Sequence, residues 1–65
     1  CQMEIQYIGI ESPVVFICDC YGNIYNCQYT SGECGKVTLE LPNVPGVYTI
    51  VIQSEVYKGS GIFSL

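Results

Sequence analysis

Residues 13–23, PVVFICDCYGN, decide the fold that this sequence predicts. The first seven form an apolar run that ends at Asp19, contain several β-branched residues, and carry proline only at the first position, which a strand tolerates. In residues 19–23, Asp stands first and Gly fourth, an order typical of a type I turn closed by a left-handed glycine. The stretch therefore predicts a strand that runs into a β-hairpin.

The predicted turn also determines which residues face each other across the hairpin. Counting outward from a three-residue turn places Ile17 opposite Tyr25 and Val15 opposite Cys27. Because paired residues share a face, these four side chains are predicted to lie on one side of the sheet. Tyr25 is accordingly assigned to the core.

The return strand and four further strands are predicted from the alternation of apolar and polar residues. Their predicted bounds are residues 4–10, 24–29, 36–41, 47–53 and 61–65. The side chains predicted to point into the core from two of them are those of Val37, Leu39, Leu41, Tyr48, Ile50 and Ile52. No segment has helical periodicity.

Six short strands at spacings of about ten residues indicate an antiparallel sandwich or a partly open barrel. The 65 residues are predicted to form one domain, residues 1–65. The predicted fold is all-β: a small antiparallel β-sandwich that is stapled by disulfides and has exposed strand edges. Since a complete immunoglobulin domain needs about 100 residues, the sandwich is predicted to be an abbreviated immunoglobulin-like one.

Three stretches carry a resemblance to a known group of domains. Residues 15–23 are an alternating strand with an Asp-x-x-Gly-Asn turn, residues 39–50 a leucine-rich strand, a proline loop and a Gly-x-Tyr-x-Ile strand, and residues 61–65 a closing strand. This order is similar to small immunoglobulin-like β-sandwich domains of unknown function in secreted proteins of Bacteroidetes. The C-terminal sorting domains of the type IX secretion system share much of it. The resemblance implies export and a β-sandwich, and it supplies no catalytic residue.

The charge of the chain argues against a nucleic-acid partner, and the length of its apolar runs argues against a membrane span. Lys36 and Lys58 are its only cations against six acidic residues, which gives a formal net charge of -4. Nucleic-acid binding requires the neutralisation of several phosphates, so no nucleic-acid partner is predicted. No apolar run approaches the roughly 20 residues that a membrane span needs, so no membrane span is predicted.

The cysteines, which depart from the pattern of the resembled domains, allow three interpretations. They are Cys1, Cys18, Cys20, Cys27 and Cys34. Disulfides are favoured, because a chain this short buries little apolar surface and each bridge adds about 2 to 4 kcal/mol in an oxidising compartment. Zinc or copper(I) binding is the alternative, but the spacing lacks the close cysteine pairs of such sites and the chain has no His, so no metal site is predicted. Reduced, buried thiols are the third interpretation.

The predicted pairing of the cysteines remains open. Cys27 and Cys34 flank a turn predicted at residues 30–33 and would meet across a hairpin. Cys18 and Cys20 share a strand face, where a bridge between them would be strained, so each is expected to pair with a distant cysteine such as Cys1.

An odd number of cysteines leaves one thiol free, modified or paired between molecules. Cys1 is the natural candidate. A mature chain that begins with Cys is also what lipoprotein processing leaves, so a lipid anchor at Cys1 is one expectation.

Catalytic residues are not evident in the sequence. Activation of a nucleophile usually needs a neighbouring base such as His, and the chain has none. Asp19 is explained by its position at the start of a turn. The prediction is therefore a protein that is not an enzyme and needs no cofactor.

The aromatic residues are the best candidates for contact with a partner. Tyr21, Tyr29 and Tyr57 lie at predicted strand ends or turns, where tyrosine supplies amphipathic contact area. Phe16 and Val14 are predicted on the side of their strand that faces away from the core. If the N-terminal strand does not cover that side, it is an exposed apolar patch.

These observations predict a secreted or surface-exposed binding module without catalytic activity, whose partner is an unknown protein or cell-surface component. Two other functions stay open. One is an exported antibacterial peptide toxin, which the small size of the chain favours. The other is a sorting domain released from the C-terminus of a larger secreted precursor.

Overall fold

A computed structural model describes residues 2–65. In this range the chain forms six β-strands and no helix, which confirms the predicted all-β class. The strands are β1 (Gln2–Ile8), β2 (Val14–Asp19), β3 (Ile24–Tyr29), β4 (Cys34–Glu40), β5 (Val47–Gln53) and β6 (Lys58–Ser64). The described part of the chain has no helix with the length and apolar character needed to cross a membrane.

The strands form two antiparallel sheets in a sandwich-like arrangement. The larger sheet has the order β3-β2-β5-β6, and the smaller sheet pairs β1 with β4. Although β3 and β4 are consecutive, they belong to different sheets, so residues 30–33 cross between the sheets and do not close the predicted hairpin. The pairing partner of β4 is instead the N-terminal strand, with Ile5 opposite Val37.

The core lies between the two sheets. Its buried members are Tyr7, Val15, Ile17, Val37, Leu39 and Tyr48, and Leu41, Ile50 and Ile52 are among the side chains packed against it. The predicted inward alternation in β4 and β5 is therefore confirmed. Tyr48 stacks on Phe63 of β6, with 5.9 Å between the ring centroids, and its hydroxyl donates a hydrogen bond to the Val44 carbonyl oxygen at 2.7 Å. Its polar end is thus satisfied inside the domain.

The turn between β2 and β3 has the predicted conformation. Gly22 has a φ of +88°, and its N–H donates to the Asp19 carbonyl oxygen at 3.1 Å. The Asp19 N–H donates to the Asn23 carbonyl oxygen at 3.0 Å. A left-handed backbone suits glycine because it has no Cβ. The local residues therefore define this turn.

A β-bulge follows the turn directly. Cys18 pairs with Ile24, but the preceding residue, Ile17, pairs with Asn26. Tyr25 is thus an extra residue in β3. Because strand side chains alternate between faces, one extra residue turns the rest of the strand over.

The bulge overturns part of the predicted register. Ile17 is not opposite Tyr25, and Val15 lies opposite Gln28 rather than Cys27. The assignment of Tyr25 to the core is wrong, since its side chain is 53% exposed. Cys27 pairs with Phe16 and lies with it on the side of the sheet that faces away from the core.

The first strand begins and ends two residues before its predicted bounds. β1 ends at Ile8, and Gly9 adopts a left-handed φ of +82°. The Gly9 N–H then donates to the Glu33 carbonyl oxygen at 2.7 Å, which holds the end of β1 to the start of β4.

Candidate interaction surface

The outer face of the four-stranded sheet, meaning the side turned away from the core, is the best-defined candidate surface. Val15 and Ile17 of β2 are fully buried on the core side, so Val14, Phe16 and Cys18 lie on the outer face. β1 and β4 contribute their side chains to the core, and no strand of residues 2–65 lies over the outer face. The patch predicted around Phe16 is therefore uncovered.

The strand register aligns the outer-face side chains in three rows, each of which crosses all four strands. The central row is Cys27, Phe16, Val51 and Ser60, one flanking row is Tyr29, Val14, Gln53 and Lys58, and the other is Ile24, Cys18, Thr49 and Ile62. Val51 is 7% exposed, whereas Tyr29 and Ile62 are 74% and 77% exposed. The centre of the face is closely packed, and its margins present accessible apolar side chains.

The outer face is almost free of charge, although the chain carries a net charge of -4. Lys58 is the only charged member of the three rows. None of the acidic residues belongs to these rows: Glu4 and Glu40 lie on the smaller sheet, Asp19 at the end of β2, and Glu11, Glu33 and Glu55 in loops, of which the Glu55 loop borders one end of the face. An acidic protein therefore meets less electrostatic repulsion at this face than at the smaller sheet, which carries Glu4 and Glu40.

A shallow cavity of about 410 Å³ opens at one end of the outer face. Val14 and Phe16 form its apolar wall, and Ser12, Gln53, Ser54 and Glu55 form its polar wall. Apolar walls beside a few hydrogen-bonding groups suit a large amphipathic side chain, such as that of tyrosine, from another protein.

The structure brings together two of the four predicted contact residues. Phe16 and Tyr29 lie on the outer face on neighbouring strands. Tyr21 is exposed at the tip of the hairpin. Tyr57 lies on the other side of the larger sheet. Its hydroxyl lies over Gly59, so close that a Cβ at that position would be only 2.7 Å away.

Several outer-face residues were not predicted from the sequence. Val51 and Ile62 alternate along their strands with residues that point into the core, and the core-facing residues explain the predicted strands without them. The signal for Val51 is that both phases of residues 47–53 carry β-branched residues, which is typical of a central strand with two packed faces. Cys27 was assigned to the core side because the bulge, which turns it to the outer face, was not predicted.

All four described cysteines, Cys18, Cys20, Cys27 and Cys34, are free thiols, and no disulfide joins residues within 2–65. Cys27 is on the outer face, while Cys34 lies opposite the exposed Ile8 on the smaller sheet, so the predicted hairpin contact between the two cysteines is not formed. Cys1, the predicted distant partner and lipid-anchor position, lies outside the described residues.

Cys18 and Cys20 are in different environments. Cys18 is partly buried, with its Sγ 3.8 Å from the Thr49 carbonyl oxygen. Cys20 is exposed in the turn after β2 and does not share a strand face with Cys18 as predicted. Among residues 2–65, no group of three or more His, Cys, Asp or Glu side chains is arranged to hold a metal ion.

The Asp19 carboxylate serves the turn. Its Oδ1 accepts hydrogen bonds from the backbone N–H groups of Asn23 and Tyr21, both at 2.9 Å, and its Oδ2 accepts from the Asn23 side-chain amide at 3.3 Å. The backbone hydrogen bond from Asn23 is the main cause that lowers the pKa of Asp19 below its ordinary value of 3.8, against a smaller opposing effect of desolvation. The position of Asp19 at the start of a turn is as predicted.

No protein-family model, curated protein or solved structure matches this chain. The arrangement of its own residues is therefore the basis for assigning a function.

Proposed function

We propose that this protein is a secreted or cell-surface binding module, without catalytic activity, that contacts another protein through the outer face of its larger sheet. The observation that carries the proposal is the row of Cys27, Phe16, Val51 and Ser60, which forms the centre of an uncovered and nearly uncharged face. Protein interfaces have such centres, depleted of charge and enriched in aromatic residues.

The partner is a protein with an apolar contact surface and a large amphipathic side chain that enters the cavity beside Val14 and Phe16. Tyr29, at the margin of the face, adds a broad contact area at low cost in conformational entropy. The partner's side chain in the cavity would be a buried anchor, and such anchors supply most of the binding energy in known interfaces.

The proposal takes the protein to be exported and to have an abbreviated immunoglobulin-like sandwich fold. Outside the cytosol, Cys20, Cys27 and Cys34 are the exposed thiols of residues 2–65 that are available for disulfides. Since Cys27 stands on the outer face, the proposal includes an intermolecular disulfide formed by exchange: the Cys27 thiolate attacks a disulfide of another molecule, and the other sulfur of that disulfide leaves as a thiol.

Site-specific photo-crosslinking tests the proposal. A photoreactive amino acid replaces either Ile62 on the outer face or Ile8 on the smaller sheet, in the cells that produce the protein. The two positions are a matched pair, because they carry the same side chain at 77% and 78% exposure. We expect a covalent adduct with one defined protein from position 62, and that protein should form no adduct at position 8.

The purified partner then provides a binding measurement. Ile62→Glu should weaken its affinity by about tenfold or more, because the charge enters an apolar contact, while Ile8→Glu should leave it unchanged. Adducts with the same protein from both positions, no adduct from position 62, or equal affinities of the two Glu variants would refute the proposal.

A further inference from the structure

β1 has one edge that pairs with no other strand of residues 2–65. All seven residues of β1 pair with β4 along one edge, which leaves the opposite edge of β1 open. β4 itself lies toward β3, where the Asn26 side-chain amide donates to the Glu40 carbonyl oxygen at 3.4 Å. The open edge of β1 therefore faces the β6 side of the domain. Along such an edge, alternate residues point their N–H and C=O groups outward, ready to pair with another strand.

An apolar groove lies beside this open edge. It has a volume of about 250 Å³ and is lined mainly by Ile5 of β1, by Ile50 and Ile52 of β5, and by Gly59 and Gly61 of β6. All three isoleucines pack against the core but remain partly exposed. Gly61 leaves part of the floor of the groove without a side chain, whereas the Tyr57 side chain lies over Gly59 and forms another part of the lining. A seventh strand beside β1 would fill this space with alternate side chains.

The outward side of β1 indicates the charge of such a strand. Gln2, Glu4 and Gln6 are exposed there, and Glu4 is the central residue. A strand added next to β1 would place its own outward side chains beside these residues, where opposite charges stabilise a cross-strand pair. The net charge of -4 favours a cationic strand as well.

From these features we infer that the open edge of β1 binds an extended segment of another protein by strand addition. The segment alternates small apolar side chains, which enter the groove, with basic side chains, which lie beside Glu4. Main-chain hydrogen bonds to β1 supply affinity, and the groove supplies side-chain specificity. This site is separate from the outer face, because the groove lies on the opposite side of the larger sheet.

Synthetic seven-residue peptides test the inference with the full 65-residue protein. The probe alternates valine and lysine and carries a fluorophore for anisotropy measurements. One control has the same sequence with alternate backbone nitrogens methylated, which keeps the charge and removes donors. The other replaces lysine by glutamate. We expect saturable binding of the probe, about tenfold or more loss on methylation, and about threefold or more loss for the glutamate peptide.

Protein variants locate the binding to the groove. In Gly61→Val, the new Cβ meets the Ile50 Cγ2 at 3.6 Å, an ordinary contact, and valine favours a strand, so the variant should fold and fill the groove. It should lose about tenfold or more of the probe affinity. Ser64→Val, at an exposed position of the same strand that lies outside the groove and outside the three outer-face rows, is the matched control and should bind normally. Glu4→Lys should favour the glutamate peptide.

Circular dichroism shows that each variant retains its strands before binding is compared. The inference is wrong if the probe shows no saturable binding, or if methylation or Gly61→Val leaves its affinity unchanged. It is also wrong if the protein pairs its β1 edges in a dimer in place of binding the peptide. None of these results depends on whether Ile62 contacts a partner, so the outer-face proposal stands or fails separately.

Discussion

Phe16 of β2 lies directly opposite Val51 of β5 on the outer face of the larger sheet. Val51 is 7% exposed even though no described strand lies over it, so its neighbours within the same sheet bury it. The pair therefore has two roles in our interpretation. It stabilises the sheet, and it forms the apolar centre of the proposed interface.

Replacing Val51 by alanine should lower the free energy of unfolding by about 1.5 kcal/mol, because two buried methyl groups are lost. Ile62→Ala, at an exposed position on the same face, should change it by less than about 0.5 kcal/mol. Urea unfolding followed by circular dichroism measures both values. Equal effects of the two substitutions would show that the centre of the face is not packed.

Leu39 is fully buried between the sheets, and its truncation should be far more damaging. Leu39→Ala in a protein core costs about 2 to 5 kcal/mol, and a domain of this size has about 3 to 5 kcal/mol in total. The variant should therefore be largely unfolded at 25 °C. Thr38→Ala, at the adjacent exposed position, should melt like the unmodified protein. A cooperative thermal transition of normal midpoint for Leu39→Ala would contradict this expectation.

The stability of the turn should depend on pH through Asp19. Hydrogen bonds, above all from the Asn23 backbone, lower the pKa of Asp19 in the folded state, so the charged carboxylate is favoured on folding. Its contribution to stability is complete above the ordinary pKa of 3.8 and is lost as the pH falls through the lowered folded pKa. Asp19→Asn keeps an acceptor oxygen but does not titrate.

Urea unfolding of the unmodified protein and of Asp19→Asn, from neutral pH down to about pH 2, measures this contribution. The stability difference between the two proteins should be constant above pH 3.8 and shrink below it. A difference that stays constant over the whole range would show that the hydrogen bonds do not favour the ionised form.

Local chemistry made some parts of the fold predictable from the sequence. The turn after Asp19 is fixed by hydrogen bonds within five residues and by the left-handed Gly22, so its sequence is sufficient. The inward side chains of Leu39 and Tyr48 follow from alternation, which each strand carries by itself.

The parts that were not predictable depend on distant residues. β4 pairs with the N-terminal strand instead of its neighbour β3, a choice that requires contacts between residues 26 to 38 positions apart, such as Met3 and Leu39. The bulge at Tyr25 has no glycine or proline to mark it. The open groove beside Ile5 exists because the smaller sheet has only two strands, which no single strand of the sequence encodes.

Thiol alkylation distinguishes the observed register of β3 from the register without a bulge. In the reduced, folded protein, Cys27 should react with iodoacetamide about as fast as Cys20, because the bulge turns Cys27 to the outer face and Cys20 is exposed in the turn. Cys18, partly buried with its Sγ near the Thr49 carbonyl oxygen, should react several-fold more slowly. Mass spectrometry of the digested protein over time gives the rate at each position, and alkylation in urea gives the unfolded reference. If Cys27 were protected and Cys18 were not, the outer face would lack Cys27, and the row centred on Phe16 and Val51 would be incorrect.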